Sequence, residues 1–431
     1  MRTDRWIFPK GIETEKYIKL LDEKLLSIVD FLSIRDFVEG RDGSIADLYD
    51  LLCLSFIEFN NGSLCIRLEA TRLKELSMRY LDKELALPED LHDEWPDLFS
   101  NDPTEFKPFI IQKIASGNYL FFYTYWHCAG RLRDMLQDLA KETSSRKIPD
   151  TEIAIINATI YKQEHVLNNE QKIALLIAAA QRFSVISGGP GTGKTSIISA
   201  LLQILVQTGY DVDDIELLAP TGRAAQRMTE SIHSNLKAIK LNEKESELSK
   251  LKGKTIHLLL AYNPILNSFN HNKNNRLKAR VLIVDEVSML DVQLMVQLLS
   301  AVRDDCKIIF LGDKDQLPSV DAGAVLSDII PSHFEMHFDE NSRRLAKKMD
   351  LNLPRNSNTE AIHPLANKIS ILKISYRSDR HILQLAHAIN NNDRDLEDIF
   401  SKKTGSVQFI SSSKMKLKDL LNKWAVSKLI E

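Results

Sequence analysis

The feature that most constrains this chain is Gly188-Gly189-Pro190-Gly191-Thr192-Gly193-Lys194-Thr195, set between an apolar run (Phe183–Ser187) and a helical pattern (Ser196–Gln207). It fits G-x-x-x-x-G-K-[ST] in the strand–loop–helix context that gives that pattern its meaning. The glycines allow a tight loop whose backbone N–H groups point inward at phosphate oxygens, and the following helix adds its positive N-terminus. Lys194 would reach the outer phosphates and Thr195 would offer a hydroxyl to Mg²⁺. Gly188 to Gly193, Lys194, Thr195 and Ser196 are therefore candidate nucleotide-binding residues. A Gly-rich strand-to-helix turn that carries a lysine by chance is the competing reading, and the completeness of the motif in this context weighs against it.

A second site lies downstream. Val281–Val284 is a short apolar run that delivers Asp285-Glu286 at its end, where ligands of α/β sheets bind. Asp285 is the candidate holder of Mg²⁺, and Glu286 the candidate that polarises an attacking water. Alone, an acidic pair after an apolar run is often no more than an exposed strand end. Coupled to the phosphate loop, it points to a nucleoside triphosphate bound with Mg²⁺.

Further apolar runs at Ile215–Ala219 and Lys307–Leu311, with helical patterns at Gly222–Leu236 and Asp291–Val302 between runs, indicate βαβ construction. The expected fold is α/β, with a parallel sheet buried on both faces. At 431 residues the chain is too long for one ordinary domain. Residues 1–148 read as mixed and mostly helical, and the polar Lys141–Pro149 stretch marks the first boundary. The aromatic run Asn118–Trp126 reads as a buried strand with its turn; a base-stacking platform is the other reading. Residues 149–341 form the expected first α/β domain and 342–431 a third segment, with loops at 263–279 and 342–361.

A formal charge of −3 excludes wholesale polycation behaviour but not a local basic groove. No apolar run approaches the roughly 20 residues a membrane span needs, and MRTDRWIFPK lacks the apolar core of a signal peptide. Cys53, Cys65, Cys128 and Cys306 lack metal-ligand spacing. A cytoplasmic location without membrane association is the expectation.

Phosphate loops serve many machines, so the remaining segments discriminate. LNNEQKIAL, SVISGGPGTGKTS, LAPTGRAAQRM, TIHLLL, VLIVDEVSMLD, IIFLGDKDQLPSVDAGAVLSDI and LKISYRSDRHILQLAHAIN follow one another in order. Together they resemble the RecD family of superfamily 1 helicases, the alpha subunits of bacterial exodeoxyribonuclease V. The resemblance implies RecA-like motor domains at 149–341 and, in part, at 342–431, with 1–148 docking on partners. It implies that Gln171 reads adenine, Gln316 senses the γ-phosphate, and Arg377 reaches the nucleotide from the second motor domain. Lys194, Glu286, Gln316 and Arg377 form the implied catalytic set. Thr221, Arg223, Thr255 and His257 are the implied DNA contacts. Singly these are weak: a histidine in an apolar run is more often a satisfied core residue.

What the resemblance implies about function is an ATP- and Mg²⁺-dependent 5′-to-3′ translocase and helicase subunit in double-strand break resection and recombinational repair. Its implied partners are RecB-like and RecC-like subunits of a heterotrimer, and single-stranded or duplex-end DNA without sequence preference. No Ser-Gln-Gly-like or Thr-Arg-Ala-like segment follows Arg377, and only 91 residues run from Asn341 to Glu431. An incomplete second motor domain is therefore expected. That leaves a nucleotide-binding structural or regulatory subunit as the alternative. The Ser411–Glu431 stretch, with five lysines, reads as a solvated amphipathic helix.

Overall fold

Strands β5 (Phe183–Gly188), β6 (Ile215–Ala219), β7 (Gly253–Thr255), β10 (Val281–Val284), β11 (Lys307–Gly312) and β12 (Ile369–Leu372) form one sheet in the order β12-β5-β11-β10-β6-β7. Every neighbouring pair is parallel. This is the RecA-like P-loop architecture. The computed structural model describes residues 7–9, 12, 14–41, 45–85, 87–88, 90–114, 117–141, 148–162, 167–237, 241–316, 323, 325–331, 334–356, 362–376 and 380–390. Arg377, residues 317–320, the polar stretch 142–147 and the lysine-bearing segment 411–431 lie outside the described residues.

The sheet's side chains alternate between two cores. Val281 and Ile283 of β10 and Ile309 and Leu311 of β11 enter one cluster. Leu282, Val284, Ile308 and Phe310 enter the other. A strand buried on both faces needs apolar residues at every position, which is why these runs lack a polar period. Each fully buried aliphatic side chain contributes about 1.5–3 kcal/mol.

On the first face lie α7 (Asp150–Lys162), α8 (Asn169–Ala180), α9 (Lys194–Gln207), α10 (Gly222–Lys237) and α15 (Glu340–Lys348). The second face carries α6 (Tyr123–Lys141), α12 (Ile256–Leu259), α13 (Val292–Ala301) and α14 (Val325–Ile329). Short α11 (Glu243–Ser246) and the exposed hairpin β8–β9 (Tyr262–Asn263, Ser268–Phe269) complete this region.

Residues upstream build a third core from α1 (Glu15–Asp22), α2 (Ile28–Val38), α3 (Ile45–Asn60), α4 (Ala70–Leu81) and α5 (Leu91–Glu94). They pack with a four-stranded sheet, β1 (Cys65–Arg67), β2 (Phe99–Ser100), β3 (Phe109–Ile114) and β4 (Gly117–Phe122), in the order β1-β4-β3-β2. At its centre Asp50 is fully buried and accepts from Tyr17 Oη at 2.6 Å and Lys16 Nζ at 3.1 Å, with Lys83 as a third partner.

The N-terminal region is mixed and mostly helical as expected, with β1 to β4 completing its core. Several other expectations are corrected. The aromatic run is strand only as far as Phe122, which stacks on Phe109 at 4.9 Å; from Tyr123 it is helix. The core changes there rather than at 148: Leu132 and Leu139 of α6, one helical face, belong to the parallel sheet's second cluster. The boundary at 341 also falls inside this sheet, since β12 pairs with β5 from Ile369↔Val185 to Leu372↔Gly188. Within 342–361, expected as loop, residues 342–348 are helical. Asp339 caps α15 by accepting from Ser342 N, and Leu345 and Ala346 are buried. Within 263–279, paired asparagine-rich turns support β8–β9 without any apolar period.

The molecule divides into two units, Met1–Gly188 with Lys194–Leu372, and Gly189–Gly193 with Lys373–Glu431. In the second, Ser375 Oγ donates to the Pro190 carbonyl at 2.8 Å and Tyr376 N–H to the Gly191 carbonyl at 2.9 Å. Its described helix is α16 (Arg380–Asn390). Among the described residues no helix is long and apolar enough to cross a membrane.

Candidate nucleotide site

Parallel strands end at one edge, and that edge collects the polar residues singled out above. Gly188 ends β5, Thr255 ends β7, Asp285 follows β10 and Asp313 follows β11. Residues 189–193 join β5 to α9, with Gly191 at φ 77° and Gly193 at φ 84°. Both lie in the left-handed region that side chains with a Cβ rarely adopt. Thr192 Oγ1 donates to the Gly189 carbonyl at 2.9 Å, closing the loop on itself. Lys194 opens α9, and its ammonium donates to the Gly188 carbonyl. Thr195 and Ser196 follow in the first turn, half-buried.

Asp285 N–H donates to the Leu218 carbonyl at 2.8 Å, fixing it to the sheet, and its carboxylate accepts from Glu286 N–H at 2.9 Å. Glu286 sits at φ 54°, ψ 40°. For a residue with a Cβ this left-handed conformation costs about 1–2 kcal/mol, a strain typical of working sites. Burial pushes the Asp285 carboxyl above its ordinary range, against the Glu286 N–H and the Lys194 ammonium, which pull it down. Glu286 is raised first by burial and then by Asp285, with Lys194 and Arg227 acting oppositely. Two acids whose charges are disfavoured by burial suit a site completed by a cation.

Gly312 lets the exits of β10 and β11 approach. A Cβ there would stand 2.6 Å from Leu326 Cδ2 and 3.3 Å from Ser288 N. Gln316 is exposed, and its side-chain carbonyl accepts from Ser288 Oγ at 2.9 Å. Gln171 lies in the first turn of α8, 5% exposed, where its Oε1 accepts from Asn168 N–H at 2.9 Å in a capping box. That capping geometry accounts for one of its side-chain groups.

Thr221 caps α10, accepting from Ala224 N–H at 3.2 Å, and Arg223 is exposed one residue into that helix. Thr255 ends β7, caps α12 and pairs with Ala219 across β6–β7, so it stands beside the strand that Thr221 follows. His257 is exposed, its ring 5.5 Å from Tyr262 and 5.7 Å from Phe269, and so is not the core histidine that residue type alone favours. Arg227, missed in the sequence, is charge-coupled to Glu286. Its spacing of one helical turn from Arg223 was the available signal.

The fold and this edge define a class: a RecA-like P-loop nucleotide-binding domain. A family model described as an AAA domain matches residues 171–322, from Gln171 through the phosphate loop, the acid pair and Gln316. The chain is 35% identical over 214 residues to the RecBCD enzyme subunit RecD of Haemophilus influenzae, covering 49% of this chain and 33% of that protein. It is 31% identical over 284 residues to the RecBCD enzyme subunit RecD of Mycolicibacterium smegmatis, covering 65% and 48%. With its counterpart from Buchnera aphidicola subsp. Schizaphis graminum it is 27% identical over 426 residues, covering 93% and 67%. The chain thus spans between a third and two thirds of the length of these relatives. Over these aligned stretches the chain is similar to RecD subunits.

Proposed function

We propose that this chain is an ATP-dependent 5′-to-3′ single-strand DNA translocase and helicase subunit, working in the cytoplasm with RecB-like and RecC-like partners in double-strand break resection. The observation that carries the reading is the shared edge of the parallel sheet, where Lys194 opens the helix after β5 and the half-buried Asp285–Glu286 pair follows β10, with Glu286 held in the left-handed conformation. Lys194 binds the β/γ-phosphates, and backbone N–H groups of 189–193 cradle them. The Thr195 hydroxyl and the Asp285 carboxylate are hard oxygen donors that fit Mg²⁺, which when bound supplies charge neutralisation to the phosphates. Glu286 orients the attacking water, Gln316 contacts the γ-phosphate, and Arg377 adds positive charge to it.

Thr221, Arg223, Thr255 and His257 contact the strand through phosphate and sugar, so base sequence does not matter. Residues 1–148 carry the partner-docking role.

Two measurements test this. In Lys194→Ala the loss of a charge-assisted phosphate contact, worth ~1.5–3 kcal/mol, should weaken ATP binding about 10- to 150-fold by calorimetry. The parent chain should hydrolyse ATP faster when single-stranded DNA is added. Unchanged ATP affinity in the variant would remove the phosphate assignment, and DNA-independent turnover would remove the motor.

A further inference from the structure

A cavity of about 420 Å³ opens where α6 passes the end of α13. It lies at the entry edge of the sheet: Arg182 precedes β5 and Ile308 begins the interior of β11, so the strands run from it toward the nucleotide site. Its floor is aliphatic, formed by Leu139, Leu299, Val302 and Ile308 with Met135 at the side. Among the described residues five cations face it, Arg131, Arg182, Lys273, Arg276 and Arg303, against two carboxylates, Asp138 and Asp304.

Local pairing removes part of that charge. Arg276 pairs with Asp304 at 2.6 Å, Arg303 with Asp305 at 2.8 Å, and Asp138 with Lys141 at 3.3 Å. Both wall carboxylates are thus satisfied from the protein itself. Arg131 donates to the neutral Ser300 hydroxyl at 3.0 Å, and Lys273 is exposed and makes no ion pair among the described residues. The cavity therefore presents an apolar floor under a surplus of positive charge.

We propose that it receives an acidic segment of a partner protein, with a leucine, isoleucine or methionine seated on the floor and flanking carboxylates against Arg131 and Lys273. Charge complementarity selects the acidic segment, and the aliphatic floor supplies the buried anchor that interfaces use. A nucleic-acid strand fits less well. Among the described residues no aromatic ring lines the cavity to stack a base, and two carboxylates stand in its wall. The proposal does not depend on the nucleotide-site reading, which concerns the opposite edge.

The test uses the full chain and fluorescence anisotropy of a labelled Glu-rich peptide with two central leucines. The parent should bind it, and the same peptide with serines at the centre should bind at least about tenfold more weakly. Arg131→Glu combined with Lys273→Glu should also cost about tenfold, with ATP affinity and Tm unchanged because both side chains are exposed. Met135→Lys, which intrudes on the floor, should lose binding by the same order. The proposal is overturned if no leucine peptide binds, if the serine peptide binds equally, or if the variants bind as the parent does. Displacement of the peptide by oligothymidylate that itself fails on the double variant would make the surface a nucleic-acid site instead.

Discussion

The Ser288 hydroxyl donates to the side-chain carbonyl of Gln316 at 2.9 Å, tying the turn after β10 to the loop after β11. Ser288 is buried and stands two residues beyond the strained Glu286, whereas Gln316 is exposed. A displacement of Gln316 therefore bears directly on the turn that holds the acid pair.

Ser288→Ala should lower ATP turnover about 2- to 10-fold, from loss of a neutral hydrogen bond worth ~0.5–1.5 kcal/mol. Nucleotide affinity should stay within about twofold, because the phosphate loop and Lys194 are untouched. Steady-state kinetics beside calorimetry separate the two quantities. An equal loss in both would assign Ser288 to binding instead.

The acid pair predicts a pH signature. Folding raises the Glu286 carboxyl above its unfolded value, chiefly through burial. Its stabilising contribution is then complete below the ordinary carboxylate range and lost as pH rises through the folded value. Glu286→Gln should therefore raise Tm at neutral pH while abolishing hydrolysis, and the gain in Tm should shrink as pH falls to about 4. A gain that persists undiminished in acid would show that charge burial is not its cause.

Glycine substitutions should split by site. Gly253→Ala places a Cβ 2.5 Å from the Ala225 carbonyl oxygen, a backbone atom with little room to yield. It should destabilise by about 1–3 kcal/mol. Gly130, inside α6, has nothing within 4 Å of the added Cβ, and Gly130→Ala should stabilise by about 0.5–1 kcal/mol. Denaturant melts of the two variants give the comparison directly.

In the N-terminal core, Asp50→Ala should cost about 3–5 kcal/mol, since it leaves Lys16 and Lys83 without their shared buried carboxylate. Asp50→Asn, which keeps an acceptor for Tyr17, should cost less. Reversal of that order in urea titrations would mean that the packing of residue 50, not its charge, holds the core.

Local chemistry made the phosphate loop, the strand before it and the acid pair legible. A tight phosphate cradle requires glycines and a lysine at fixed spacing, and a strand buried on both faces requires an unbroken apolar run. Helix α15 was not legible, because its buried Leu345 and Ala346 are outnumbered by charges that face solvent. The extent of the sheet was hidden for a related reason: Ile369–Leu372 is a short apolar run whose place beside β5 is set by pairing, not by composition.

What the sequence determined by itself, then, was the nucleotide loop and the alternation of strands with helices, since both depend on residues adjacent along the chain. Tertiary structure alone decided that α6 gives Leu132 and Leu139 to the parallel sheet's core, that Glu286 is held at φ 54°, and that Arg227 acts on its carboxyl. Each of these depends on which distant surfaces meet when water is excluded. That choice is made by the packing of the whole unit, and no local window of residues carries it.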